Sequence, residues 1–154
     1  MYTVRGRTTA TDANANDAIA QLWNPHSTQR IKVVSFAIFK TAAGTAGDAL
    51  RLKRSTVRGT AGSTVTPDID NHSERAVAPV SGALLDLANF TGEPTLDASE
   101  LGIEWVAAAF AAAGAIQPIP GGIVIPPGTG LVLAQIAATI WPISGISFFW
   151  LEDW

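Results

Sequence analysis

The side chains that most readily perform chemistry are few in this sequence, and they include only two histidines, His26 and His72. His72 lies in an acidic segment, 67–74, whose further candidate metal ligands are Asp68, Asp70, Asn71 and Glu74. A calcium site needs about six to eight oxygen ligands, and an EF-type loop also needs a central glycine and a distant glutamate. The segment has neither pattern, so we expect a solvated acidic loop here and no bound metal.

A serine hydrolase would need a serine, a histidine and a carboxylate brought together. No Gly-x-Ser-x-Gly nucleophile elbow occurs, since Ser144 stands in Pro-Ile-Ser-Gly-Ile. The glycine-rich stretch 126–130 lacks the Gly-Lys-Ser/Thr ending of a phosphate-binding loop. Glycoside hydrolysis needs only two carboxylates, but nothing singles out one pair among the thirteen acids. We expect no enzymatic activity and no cofactor.

The composition predicts one folded domain that covers residues 1–154. Hydrophobic residues make up 47% of the sequence and there is no cysteine, which excludes a disordered chain and a disulfide scaffold. The net charge of −3 argues against nucleic-acid binding, which usually needs a basic domain. The stretch from Trp105 to Leu151 has no charged side chain, but five prolines interrupt it. We therefore expect buried strands there and no membrane span.

Charge is distributed unevenly along the chain. Residues up to Arg75 hold ten bases and six acids, a formal charge of +4, whereas the rest hold seven acids and no base. Such asymmetry indicates either one solvated basic face or a contact with a partner or subunit of opposite sign. The basic residues that we predict at such a contact are Arg5, Arg7, Arg51, Lys53 and Arg54.

Aromatic residues are concentrated near the end of the sequence, where five fall within the last fourteen residues. Consecutive side chains of a strand point to opposite faces, so Phe148, Phe149 and Trp150 cannot all face one core. Three interpretations stay open: a strand buried on both faces within one chain, a subunit interface, or a platform that stacks sugars. The aromatic residues that we predict at an interface are Trp141, Phe149, Trp150 and Trp154.

Strands must position these residues, because strand signals dominate the sequence. The segment 30–40 is a long run of β-branched and aromatic residues, in which the apolar positions change face near Val34–Ser35. This change predicts a β-bulge or a bent barrel strand. We expect 30–40 and the alternating segment 48–57 to form a hairpin through a glycine-containing turn at 43–47.

Later segments alternate between turns and short strands. The composition of 59–73 predicts a long exposed loop, and 91–100 is also predicted as a loop. Strands are predicted at 83–88, 122–125, 131–140 and 146–151, a hairpin turn is predicted at 126–130, and 103–110 is ambiguous between strand and helix. About eight short strands separated by turns indicate an all-β sandwich or barrel. Of these, we expect a single-domain, antiparallel, jelly-roll-like sandwich.

Two segments of the C-terminal part carry a resemblance to a known family. The segment Pro118-Ile-Pro-Gly-Gly-Ile-Val-Ile-Pro-Pro-Gly-Thr-Gly-Leu-Val-Leu-Ala-Gln135, followed by the aromatic strand 146–152, resembles the C-terminal halves of small virion proteins of tailed bacteriophages. In these, an apolar strand, a Pro/Gly turn ending in Gly-Leu, and a strand ending in Gln or Arg precede an aromatic closing strand. The family consists of β-sandwich proteins, often trimeric, that decorate or cement the outside of a capsid.

The resemblance implies a structural virion protein that binds the outer capsid surface and stabilises the shell through contacts between subunits. Its implied partners are the major capsid protein and copies of itself in a homotrimer, with no nucleic acid and no membrane. Such a protein would be made in the host cytoplasm and reside on the capsid surface. The alternative is a carbohydrate- or receptor-binding sandwich of a phage tail fibre, which would use the loop at 59–73 and exposed aromatic rings.

Overall fold

The computed structural model of the chain describes residues 1–11, 14–41, 48–66, 82–107, 114–138 and 140–152, and every regular element in them is a β-strand. In chain order these strands are β1 (Tyr2–Arg7), β2 (Ala18–Asn24), β3 (Ile31–Lys40), β4 (Asp48–Val57), β5 (Ser63–Val65), β6 (Leu84–Leu87), β7 (Thr95–Ala107), β8 (Gly114–Ile125), β9 (Thr129–Gln135) and β10 (Ser144–Glu152). Across these ranges no helix is long and apolar enough to cross a membrane.

The strands form two antiparallel sheets that pack together as one sandwich. The four-stranded sheet has the order β1-β10-β3-β8, and the six-stranded sheet has the order β5-β6-β2-β9-β4-β7. The pairs β1·β10, β2·β9, β3·β8 and β4·β7 are nested, each lying inside the one before it in the sequence. This nesting is the jelly-roll arrangement, in which one folded ribbon wraps into two sheets. The predicted fold class is confirmed.

Alternating side chains fill the space between the sheets. Every second residue of β10 from Ser144 to Glu152 is buried, and the residues between them are half-buried. The inward residues Phe148 and Trp150 join an apolar cluster that draws on both sheets. Trp150 is fully buried and stacks on Tyr2 across the β1·β10 pair, with ring centroids 5.8 Å apart and planes inclined by 16°. These aromatic rings therefore complete the core of a single chain.

The β-bulge predicted at Val34–Ser35 is present in β3. Val33 pairs with Trp150, and Ser35 pairs with the residue just before Trp150, so Val34 is the extra residue. The extra residue shifts the alternation by one position. Apolar residues on both sides of the bulge consequently reach the same core.

Both predicted hairpins are wrong. β3 lies between β10 and β8, whereas β4 lies between β9 and β7 in the other sheet. β8 and β9 also belong to different sheets, so the turn at 126–130 carries the chain from one sheet to the other. The residues of the turn predicted at 43–47 lie outside the described residues. Local sequence shows where a chain reverses, but long-range pairing decides which sheet the next strand joins.

Three strands lie where the sequence analysis predicted a loop or no strand. β2 is covered on both faces, so its sequence lacks the alternation that marks a half-buried strand. β7 begins inside the segment 91–100, and β5 lies inside the predicted loop 59–73, of which 67–73 fall outside the described residues. Both strands are at sheet edges, where a polar sequence is compatible with strand structure.

A buried polar network closes one end of the sandwich around Trp141. Its backbone N–H donates to Thr11 Oγ1 at 2.9 Å, and its indole Nε1–H donates to Ser144 Oγ at 2.9 Å. The ammonium of Lys40 lies 4.6 Å from the centre of the Trp141 ring, which is a cation–π geometry. These contacts hold Trp141 inside the chain.

Replacing Trp150 by alanine is expected to lower the free energy of unfolding by about 3–5 kcal/mol, because a fully buried ring and its stack on Tyr2 are lost. The matched control is Phe149→Ala in the same strand, where the ring is half-buried on the outer face and should cost less than half as much. Chemical denaturation followed by circular dichroism measures both losses. Equal losses would contradict the burial of Trp150 within one chain.

Candidate functional site

The two sheets differ in what covers their outer faces. Over the six-stranded sheet lie the segments 58–62 and 88–94, which are joined by a bridge between Thr60 and Gly92. Beneath them an apolar cluster packs on the sheet. Its buried members are Ala18, Ala88, Phe90, Val132 and Ala134. The chain thus covers this sheet with its own loops.

The outer face of the four-stranded sheet is exposed in part: Arg5, Arg7, Lys32, Phe39 and Ile116 are exposed, whereas Thr3 and Ala37 are buried. Its outward residues form four rows across the strands: Arg7–Gly145–Phe39–Gly114, Arg5–Ser147–Ala37–Ile116, Thr3–Phe149–Ser35–Pro118 and Leu151–Lys32–Val124. We call the surface formed by these residues the cationic–apolar face.

The charge on the cationic–apolar face is all of one sign. Arg5, Arg7 and Lys32 are exposed on it. The four strands of this sheet contain a single acid, Glu152, which is buried and accepts a hydrogen bond from Trp150 Nε1 at 3.3 Å. The face therefore carries three cations and no carboxylate.

The same face exposes large apolar side chains. Phe39 is 46% exposed and Ile116 is 65% exposed, and Val124 is also exposed. Phe149 and Leu151 are half-buried between them and the cations. Exposed apolar surface that is contiguous and bordered by polar residues marks interaction sites on soluble proteins.

One row of the cationic–apolar face combines a cation, an aromatic ring and two glycines. Arg7 lies opposite Gly145 of β10, and its Nη2 donates to Thr41 Oγ1 at 3.3 Å. The ring of Phe39 lies over Gly114, where a Cβ would collide with it. The cation of Arg7 and the ring of Phe39 thus occupy the same row of the cationic–apolar face.

The edges of this sheet are poorly suited to pairing with a strand from a partner. In the edge strand β8, Pro118 and Pro120 have no N–H to donate, and Gly121 and Gly122 have positive φ values of 78° and 70°. The other edge strand, β1, lies against β5 and β6 of the second sheet. A partner is therefore better accommodated on the face than at an edge.

The five basic residues predicted at one contact are not brought together. Arg5 and Arg7 lie on the cationic–apolar face, whereas Arg51 and Lys53 point outward from the six-stranded sheet. Arg54 is half-buried, and its Nη1 donates to a carbonyl of β8 at 2.5 Å, which links the two sheets. These basic residues are separated because β1 and β4 belong to different sheets.

Some bases of the first half of the sequence lie opposite acids of the second half. The β4·β7 pairing places Arg51 opposite Glu104 and Lys53 opposite Glu100. Opposite charges at facing positions of a strand pair attract each other. A contact with a partner or subunit, which is one of the two interpretations of this asymmetry, stays a prediction.

Arg58 and Asp86 form a bidentate ion pair on the outer face of the six-stranded sheet. Arg58 Nε and Nη2 donate to the two Asp86 carboxylate oxygens, each at 2.7 Å, and Thr64 Oγ1 donates to Oδ1 at 2.6 Å. The Asp86 side chain is fully buried, and that of Arg58 is 36% exposed. The hydrogen bond to Asp86 and the negative charge of that carboxylate raise the pKa of Arg58 above its ordinary value, against the effect of desolvation.

Two of the four aromatic residues predicted at an interface are core residues. Trp141 and Trp150 are fully buried in the single chain, so a second copy has no access to them. Phe149 is half-buried on the cationic–apolar face, and Trp154 lies outside the described residues. The interface prediction is therefore wrong for Trp141 and Trp150, because the two sheets of one chain already enclose them.

The residues considered for catalysis do not form a site within the described ranges. Ser144 is buried, and its hydroxyl donates to the Pro142 carbonyl at 3.0 Å. His26 Nε2 accepts a hydrogen bond from the Gly82 N–H at 3.3 Å, far from Ser144 in the strand register. The segment 67–74 lies outside the described residues, and among those described no group of three or more His, Asp or Glu could hold a metal ion.

Sequence reasoning missed three residues of the cationic–apolar face: Lys32, Phe39 and Ile116. The first two carried a usable signal, because alternation on each side of the predicted bulge places them opposite the core positions. Ile116 carried none. It lies between an alanine-rich run and prolines, and only its pairing with β3 determines its face.

Replacing Arg58 by methionine is expected to lower the free energy of unfolding by about 2 kcal/mol, because the Asp86 carboxylate would stay buried without its guanidinium. The partial exposure of Arg58 keeps the loss below that of a fully buried pair. The double variant Arg58→Met/Asp86→Leu removes both charges and should recover about half of the loss. Denaturation of the wild type, both single variants and the double variant measures the coupling, and strictly additive losses would contradict it.

Comparison of the chain with protein-family models, curated proteins and solved structures found no match. The resemblance to virion decoration proteins therefore stays a prediction. No known ligand is assigned to the cationic–apolar face by likeness, and the chemistry of its residues is the guide to what it binds.

Proposed function

We propose that this chain is a structural virion protein that decorates the outer surface of a capsid and binds the shell through the cationic–apolar face. One observation carries the proposal: the six-stranded sheet is covered by its own loops, whereas the four-stranded sheet leaves Phe39 and Ile116 exposed beside Arg5 and Arg7. Apolar residues and arginine are enriched in this way at protein–protein interfaces.

The segments that resemble virion decoration proteins support the same role. Residues 118–125 belong to β8 and residues 146–152 belong to β10, so both contribute strands to the four-stranded sheet. Much of the resemblance thus falls on the sheet that we propose to bind the shell. A jelly roll hosts many functions, so the fold by itself does not assign this one.

Binding would stabilise the shell by burying apolar side chains between the two proteins, at about 25 cal/mol per Å² before the costs of association. The three cations would meet acidic groups of the shell, which orients the encounter and increases its rate. One decoration protein in contact with neighbouring shell subunits would oppose their separation. In this role the protein is not an enzyme and needs no cofactor.

The homotrimer implied by the resemblance is a separate proposal. Since Trp141 and Trp150 are buried within one chain, a trimer contact would have to use other surface. Sedimentation velocity of the purified protein distinguishes a monomer from a trimer. If the protein is a monomer and still binds shells, the trimer proposal is excluded and the proposed role as a decoration protein is unaffected.

The double variant Arg5→Gln/Arg7→Gln is expected to bind expanded capsid shells at least tenfold more weakly than the wild type, because two exposed cations of the face are lost. The matched control, Arg51→Gln/Lys53→Gln, removes the same charge from the other sheet and should change the affinity less than twofold. Cosedimentation with shells at stepped salt concentrations measures both. A larger loss for the control than for Arg5→Gln/Arg7→Gln would contradict the proposed orientation.

A further inference from the structure

We propose that the cationic–apolar face takes an acidic segment of a different protein, and that it does not pair with a second copy of itself. This inference rests on the proposed function and names the chemistry of the shell surface that the face would contact. Its starting point is the charge of the face, which is three cations and no carboxylate.

A two-fold contact between two copies of this face is disfavoured by its charge. Such a contact is isologous, so both partners present the same residues. It would bring two sets of Arg5, Arg7 and Lys32 into one interface that contains no carboxylate. Like charges enclosed together without counter-charges repel each other, which a partner of opposite sign avoids.

Several carboxylates described elsewhere in the chain accept hydrogen bonds within it or lie opposite bases in the strand register. Asp86 is bound by Arg58, and Glu93 Oε2 accepts a hydrogen bond from the Ala18 N–H at 2.8 Å. Glu100 and Glu104 lie opposite Lys53 and Arg51 in the β4·β7 register. The acidic groups that best complement the face therefore come from another protein.

The spacing of the face fits an extended polypeptide that crosses the strands. Arg5 and Ile116 stand at the two ends of one row, three strand spacings apart, which is about 14 Å at about 4.8 Å per strand. Between them lie only the small residues Ser147 and Ala37. An extended chain advances about 3.3 Å per residue, so an acidic and an apolar residue about four positions apart would reach Arg5 and Ile116 together.

A polypeptide fits this surface better than a carbohydrate does. Sugar sites combine an aromatic platform with several polar groups that bond the hydroxyls, whereas the face holds no tryptophan or tyrosine. Its polar uncharged side chains are limited to Thr3, Ser35 and Ser147. Its exposed rings and aliphatic groups instead match apolar side chains of a protein partner.

The test is a nuclear magnetic resonance titration of the ¹⁵N-labelled full chain with a short synthetic peptide. The peptide carries two glutamates and, about four positions later, a leucine and a phenylalanine. We expect amide shifts confined to β1, β10, β3 and β8, and at least tenfold weaker binding to Arg5→Gln/Arg7→Gln. The variant Arg51→Gln/Lys53→Gln, which leaves the face intact, should bind as the wild type does.

Three results would overturn the inference. Equal binding of a peptide in which glutamine replaces both glutamates would show that charge is not recognised. Shifts centred on the six-stranded sheet would place the site elsewhere. Concentration-dependent shifts of Phe39 and Ile116 without peptide would show that copies of the chain occupy the face themselves.

The same material separates this inference from the proposed function. Shell binding by a protein that ignores the acidic peptide would overturn the inference and leave the virion role standing. Peptide binding by a protein that ignores shells would leave the chemistry of the face standing and overturn the virion role. Preferential binding to anionic lipid vesicles over the peptide would contradict both.

Discussion

The structure depends on the alternation of one strand, β10, at the centre of the jelly roll. Phe148 and Trp150 point between the sheets, where Trp150 stacks on Tyr2, and Phe149 points away from them. β10 is also the strand to which β1 and β3 attach on either side. The alternation of side chains along β10 therefore places one set of residues in the core and the other set on the surface that we propose to bind a partner.

Burial of the aromatic rings changes the physical reason for expecting a partner. A cluster of aromatic residues near the end of the sequence first indicated apolar surface that other copies must cover. Two sheets of one chain enclose Trp141 and Trp150, so these two residues give no reason for assembly. The structure gives a different reason: an outer face that exposes Phe39, Ile116 and three cations, with no carboxylate among the residues of that face.

The fold class was predictable because many short strands and regular turns indicate a sandwich, and the bulge was predictable because the apolar phase of β3 changes at Val34. The partner of each strand was not predictable from the sequence, because nested pairing joins residues that are far apart in the chain. β2 was missed because both of its faces are covered. Of the candidate site, Arg5 and Arg7 were predicted, whereas Ile116 depends on a pairing between β3 and β8 that no local pattern shows.

The most direct test of the central claim is covalent footprinting of the protein alone and bound to shells, with labelled residues located by mass spectrometry. If the cationic–apolar face is the contact, labelling of Phe39, Ile116 and Phe149 should fall at least fivefold on binding. Val57, which is 53% exposed at the end of a strand in the other sheet, should keep its labelling. Protection of Val57 with unchanged labelling of Phe39 and Ile116 would contradict the account.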